Sequence, residues 1–383
     1  MTVQPAFGHL HPVVPLARAL AAAGHDVVLA SSASFSSQLA ATGLRWLSAG
    51  IDWLESEPQA AFPDITQYRG LAGKQFILGE IFSGRTAAPM AWDLLASAEG
   101  WRPDLVIREP WEFGGALLAA KLGIPCVVHG VGRWLNAVEV RDAGSVHLQS
   151  AAATFGIDRS AALDWVDGDL YLDPCPPALD VPTVRPKPPH CLVVRPVPWD
   201  TSHHAQDRVS WPRPGGRRLI YVGLGTVMNR RPGVLDAIVA DVQRLDADVV
   251  VTTGPGIDPA ELGALPANVY AYSYVPLSTL LPHCDVVVCH AGWGTAVAAL
   301  AHSRPLICVP LGSDGYDTAA QVAECGAGLV VDSIGLATGA IGTATQALLD
   351  EPCYQSAAEC VGRQIASMPE PASIIEDLVA LTG

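Results

Sequence analysis

An apolar run that stops at small residues and opens directly into a helix constrains this chain more than any other feature. Within residues 274–328, YVPLSTLLPHCDVVVCHAGWGTAVAALAHSRPLICVPLGSDGYDTAAQVAECGAG, the run DVVVC reads as a buried parallel strand. It leads straight into His290-Ala-Gly-Trp-Gly-Thr295 and then into an Ala-rich helical stretch. Such a turn aims free backbone N–H groups and the positive end of a helix dipole at one spot, which suits phosphate. Gly292 and Gly294, flanking Trp293, let the backbone approach a ligand closely, while Thr295 adds a hydroxyl and His290 a ring N–H.

The same strand-and-helix logic recurs along the chain. VVPLARALAAAGHDVVLASS reads as helix, Gly24 stop and strand, and PDLVIREPWEFGGALLAAKLGIPCVVHG as strand, helix, Gly123 stop and strand. In the second half RRLIYVGLGT, ADVVVTTG, LPHCDVVVCH, PLICVP and AGLVV read as strands, and GVLDAIVADVQRL as a helix. Strands separated by helices imply parallel sheets covered on both faces, an α/β class. A Pro-rich stretch from Pro174 to the SWPRPGGRR run separates the halves. The expected division is a domain over residues 1–200, a linker over 201–216, a second domain over 217–368, and a C-terminal helix over 369–383 packing back on the first domain.

Composition narrows the function classes. A net charge of −15 argues against nucleic acid or an anionic membrane as partner. No apolar run is long enough to span a bilayer, and no secretory leader is visible. The nine cysteines are scattered without CxxC or zinc spacing, and Cys126, Cys289 and Cys308 sit in apolar runs, so a reducing cytosol is expected. Only residues 2–4 remain for a strand before the loop FGHLHP, so that strand is either short or cut by a late start.

Three elements in order, Tyr274-Val275-Pro276, His290 to Thr295, and Pro310 with Asp314, resemble the donor-binding signature of the GT-B nucleotide-sugar glycosyltransferases. The resemblance is to the family-1 branch that decorates antibiotics and other natural products. It implies two Rossmann-like, doubly wound domains facing a central cleft, with the acceptor in the first and the nucleotide sugar in the second. It further implies that Tyr274 stacks the base, that His290, Gly292 and Thr295 hold the diphosphate, and that Asp314 holds the sugar. Gly225 and Thr226 in GLGT match the family's strand-end Gly-Thr.

The resemblance assigns His9 as general base, with His11 as the weaker alternative. An inverting transfer needs an acceptor hydroxyl to lose its proton, and a histidine titrating near ~6.5 suits that task. The start of a helix is expected to keep the ring neutral. A carboxylate should orient it: Glu109 in VIREP matches, with Glu112 the alternative. Trp53, Phe76, Trp111, Glu112 and Trp134 are the expected acceptor side, since aromatic density in the first half fits a large apolar acceptor. No cofactor or metal is expected, because Asp246-Ala-Asp248 precedes a strand and Asp167-Gly-Asp169 lies in a loop-like region.

Two departures bear on the donor. Ala298 stands where plant members grip the ribose with Glu, and Gly315 where they hold sugar hydroxyls with Gln. Both losses favour a dTDP-deoxysugar over UDP-hexose. The expected partners are therefore a nucleotide-sugar donor and an apolar small-molecule aglycone such as a polyketide, and a homodimer is allowed. The alternatives are a lipid or cell-wall precursor glycosyltransferase and a non-catalytic homologue that activates a partner enzyme. The presence of His9, His290 and Thr295 argues against the second.

Overall fold

Apolar runs and helical stretches alternate along the chain, and in the computed structural model they build parallel sheets in two separate units. The structure describes residues 1–68, 70–134, 137–158, 166–180, 187–200, 216–312, 315–332, 336 and 338–383. One unit comprises Met1–Cys175, Val181–Arg195 and Pro369–Gly383; the other comprises Pro176–Asp180 and Pro196–Met368. The proposed linker over 201–216 lies, except for Gly216, outside the described residues.

In the first unit the strands are β1 (Val28–Ser31), β2 (Arg45–Ser48), β3 (Val106–Arg108), β4 (Cys126–His129), β5 (Leu170–Asp173) and β6 (Cys191–Val193). They form a parallel β1-β2 pair and a parallel β3-β4-β5-β6 ladder. The N-terminal residues join the two. Thr2 bridges both Ala30 and Arg108, its N–H donating to Ile107 O at 2.9 Å, while Val3 N–H donates to Ala30 O at 3.1 Å. These bridges, rather than a full strand, deliver residues 4–12 to the carboxyl edge of the sheet.

The following helix, Val14–Ala22, has Pro15 in its first turn, where a missing N–H costs nothing. It ends at Gly24, whose φ of +93° few other residues adopt. Leu16 and Leu20 of this helix share a core with Ile107, Val127 and Leu172, and with Ile374 and Leu378 from the C-terminal segment. The closing helix Ile375–Ala380 is thereby held in the first unit, and Arg195 N–H donates to Pro369 O at 2.6 Å where the chain returns. A helical run of Gly70–Phe76, a π-helical stretch Ile77–Thr86 and a helix Ala87–Ser97 encloses an aromatic core of Trp53, Phe62, Phe82 and Phe113.

The second unit contains β7 (Arg218–Gly223), β8 (Ala247–Thr252), β9 (Val269–Tyr272), β10 (Val286–Cys289), β11 (Leu306–Cys308) and β12 (Gly328–Val330). Their order is β12-β11-β10-β7-β8-β9, parallel throughout. The chain moves outward from β7 to β9, then returns to the other side of β7 for β10. That reversal makes the β7/β10 junction the switch point where open α/β sheets bind ligands. Val286, Val287, Val288 and Cys289 are fully buried, so helices cover both faces and each valine contributes about 1.5–3 kcal/mol by burial. Among the described residues no helix is long and apolar enough to cross a membrane.

Candidate functional site

Two clusters of polar residues form at carboxyl edges, one in each unit. In the first unit the chain leaves its N-terminal strand and makes a single helical turn, Phe7–Leu10, which carries His9. The neighbouring strand β3 ends at Arg108 and hands Glu109 to the same edge. Glu109 is wholly buried, and its carboxylate accepts the N–H groups of Gln4 at 3.3 Å and Trp111 at 2.9 Å. Its Oε2 lies 3.0 Å from Nδ1 of His9, close but out of line with the ring N–H. A second carboxylate, that of Glu55, stands 3.1 Å from Nε2.

The sequence singled out Glu109 and Glu112 as partners of His9, and it missed Glu55. Glu112 does not reach the ring. Its oxygens accept the N–H groups of Gly114 at 2.6 Å and Gly115 at 2.8 Å, so it caps the start of the helix Gly114–Leu122. No local signal marks Glu55, which follows β2 in a stretch without strong periodicity. His11 packs its ring edge-on against Phe7, at 5.2 Å between centroids.

The expectation that the helix dipole keeps His9 neutral is corrected. Burial does disfavour the imidazolium, but the charges of Glu109 and then Glu55 outweigh it and hold the ring well above its ordinary 6.5. A one-turn helix supplies too little dipole to compete with two carboxylates.

The aromatic residues expected on the acceptor side are placed unequally. Trp111 is half-buried and stacks on Phe82 at 6.1 Å, and Phe82 meets the His9 ring at 6.3 Å. Trp53, Phe76 and Trp134 are 6%, 7% and 7% exposed, packing on Phe62, Tyr68 and Tyr171 respectively, so their side chains have little surface left to offer.

In the second unit the loops after β7 and β10 meet at the switch point. Gly225 has a φ of +73°, and a Cβ there would lie 2.5 Å from Cε1 of His290. A Cβ on Gly292 would strike Nε2 of the same ring. Two glycines thus close on the Cε1–Nε2 edge of His290, and a side chain at either would meet the ring. Ala291, between His290 and Gly292, takes a left-handed φ of +61°, a strained value for a residue with a side chain. Gly315 explains one departure from the resemblance. A side-chain carbon at that position would sit 2.9 Å from His290 O, so the Gln of other members does not fit without a shift.

The helix Trp293–Ala301 starts at Gly292 without any side-chain cap, leaving its first-turn N–H groups to point at the switch point. Gly294 is exposed with open space before it, and Thr295 is half-buried beside it. No described residue hydrogen-bonds Nδ1 of His290, a buried polar atom whose isolation costs about 1–3 kcal/mol. Burial presses this ring down to about 4, so it is neutral. Thr226 lies half-buried beyond Gly225. Asn229, also unmarked by the sequence reading, anchors the loop by donating to Thr253 O at 3.0 Å and Pro255 O at 3.1 Å. Tyr274 is 45% exposed past the end of β9, whereas Val275 is 1% exposed and turned into the core, leaving only its backbone to a ligand. Asp314 lies outside the described residues. Asp246 and Asp248 pair with Arg217 at the opposite end of the strands, and Asp169 accepts Cys126 N–H at 2.7 Å.

These histidines act oppositely on stability. His290 and His129 both titrate near 4 when folded, chiefly through burial, against 6.5 unfolded. The unfolded chain therefore binds more protons between about 6.5 and 4, and stability falls as pH drops through that window. His9 contributes stability that is fully present below 6.5 and lost as pH rises through its higher folded midpoint. The melting temperature is expected to decline from pH 6.5 to 4, and His290→Gln to lessen that decline. Identical pH–melting curves for the two proteins would remove His290 from the account.

Comparison with known proteins establishes the family. Residues 18–202 match the N-terminal domain of the erythromycin biosynthesis protein CIII-like family, and residues 236–381 match its C-terminal domain. Elloramycin glycosyltransferase of Streptomyces olivaceus is 29% identical, over 99% of this chain and 96% of its own. L-demethylnoviosyl transferase of Streptomyces niveus is 30% identical, over 99% and 97%. Among solved structures, glycosyltransferase VinC in complex with dTDP superposes with a TM-score of 0.79 at 28% identity, covering 100% of this chain and 98% of VinC. The chain belongs to the erythromycin biosynthesis protein CIII-like family and is a glycosyltransferase of the GT-B fold, in the group of antibiotic deoxysugar transferases.

Proposed function

We propose that the protein moves a deoxyhexose from dTDP to a hydroxyl of an apolar polyketide-type aglycone, with inversion at the anomeric carbon. The observation that carries this reading is the uncapped helix start at Gly292, beside a neutral His290 whose Nδ1 has no described partner. Free N–H groups there suit the diphosphate, and Thr295 adds a donor. As the bond to the sugar breaks, charge builds on the departing phosphate, and these fixed dipoles stabilise it. His9, oriented by Glu109, takes the proton of the attacking hydroxyl on the acceptor side. Exposed Tyr274 offers a face for the base, and Ala298 leaves no side-chain grip on a ribose 2′-hydroxyl, which favours the deoxyribonucleotide. One relative is named an L-demethylnoviosyl transferase, and VinC was solved with dTDP.

Thermal stabilisation by dTDP and UDP tests the donor assignment, since a ligand of the native state raises its melting temperature. dTDP is expected to stabilise more than UDP. Gly294→Ala sharpens the test, because a Cβ there meets nothing within 4 Å and alanine favours a helix. The variant should melt at or above the wild-type temperature, yet bind dTDP about tenfold more weakly as the methyl holds the phosphate off. Equal dTDP affinity would move the diphosphate away from this turn.

A further inference from the structure

We propose that Glu55 is a positioning residue that occupies Nε2 of His9 until the acceptor arrives, so that the acceptor hydroxyl must displace this carboxylate before His9 can act as a base. The inference rests on the proposed role of His9 and adds a step to it. A carboxylate is only an acceptor, and a ring with a carboxylate at each nitrogen keeps a proton on both. In the arrangement found here Nε2 has no lone pair to give.

The two carboxylates are not equivalent. Glu109 is wholly buried and tied by the N–H groups of Gln4 and Trp111. The Glu55 side chain is 28% exposed, and no other described residue hydrogen-bonds its carboxylate. Glu55 can therefore swing to water at little cost, while Glu109 cannot leave. Among the described residues, Glu55 and Glu109 are the charged groups paired with the ring. Phe82 covers it from the π-helical stretch, Glu112 is turned to Gly114 and Gly115, and His11 packs on Phe7.

The proton balance follows. On displacement, the Nε2 proton passes to the Glu55 carboxylate and from there to water, leaving a neutral ring that keeps its Nδ1 proton beside the Glu109 carboxylate. The acceptor O–H then gives its proton to Nε2 as its oxygen bonds the anomeric carbon, and the diphosphate leaves with the electron pair of the broken C–O bond. The imidazolium so formed recaptures Glu55, and each turnover releases one proton to water.

The test is the titration of His9 by NMR in the full chain with labelled histidine, its signal identified by its loss in His9→Gln. Glu55→Gln is expected to move the His9 midpoint down, and Glu55→Asp to restore it in part. With a dTDP-6-deoxyhexose and an aglycone alcohol that is turned over, kcat/KM of Glu55→Gln at pH 6.5 should rise about tenfold, as more of the base is deprotonated. That gain should fade at higher pH. An unmoved midpoint overturns the proposal, as does a uniform loss of kcat/KM at every pH. Glu55→Ala provides a second variant should Glu55→Gln fold poorly, and the same direction is expected. If His9→Ala stays active while the midpoint still moves, the base role itself falls. If His9→Ala is inactive and the midpoint stays, only the role of Glu55 falls.

Discussion

Replacing His9 by alanine is expected to cut glycosyl transfer by roughly two to four orders of magnitude, the usual contribution of a general base. The expectation rests on Glu109, which is buried, tied by two backbone N–H groups and 3.0 Å from Nδ1. A carboxylate held this way orients the ring and stabilises the charge it gains on taking a proton. dTDP affinity should be unchanged, because His9 belongs to the first unit and the switch-point loops to the second. His11→Ala should be far milder, since that ring packs edge-on against Phe7. Turnover measured for both variants decides the matter. Near-wild-type activity of His9→Ala together with an inactive His11→Ala would reverse the assignment. Activity in both would mean an acceptor acidic enough to need no base.

Gly225→Ala should also be damaging, by a different route. The added Cβ would lie 2.5 Å from Cε1 of His290, and the residue's φ of +73° penalises any side chain. The backbone strain alone costs about 1–3 kcal/mol. Gly292 lies against the same Cε1–Nε2 edge of the ring and leaves His290 little room to move along it. The ring or the loop must therefore shift, and dTDP affinity is expected to fall at least tenfold along with the melting temperature of the second unit. Gly8→Ala is the control, because a Cβ there meets nothing within 4 Å. If Gly225→Ala binds dTDP like the wild type, His290 does not help to form the donor site.

Much of the fold was legible because parallel strands buried on both faces must be continuous apolar runs. VVVC at β10 and LIC at β11 can hardly be anything else, and the glycine stops at Gly24 and Gly123 are local signals of left-handed backbone. The helical run from Gly70 to Ser97 was not legible. Its middle, Ile77–Thr86, winds wider than an α-helix and so blurs the 3.6-residue period on which such a reading depends. Trp53, Phe76 and Trp134 show the other limit. Residue type announces an apolar surface but not whether it faces a ligand or a neighbouring side chain.

The sequence by itself determined the α/β class, the strand-to-helix turn at His290 to Thr295 and the His9 loop, because each is written in the order of adjacent residues. Only the tertiary structure decided what those residues do to one another. Glu109 and Glu55 reach His9 from two different loops, and their combined charge reverses the protonation that the local helix suggested. Gly225 and Gly292 become indispensable only because both close on the same ring, and Gly315 only because His290 O lies against it. Coulomb energy and steric overlap depend on distances across the fold, and these are set by strand order and packing rather than by spacing along the chain.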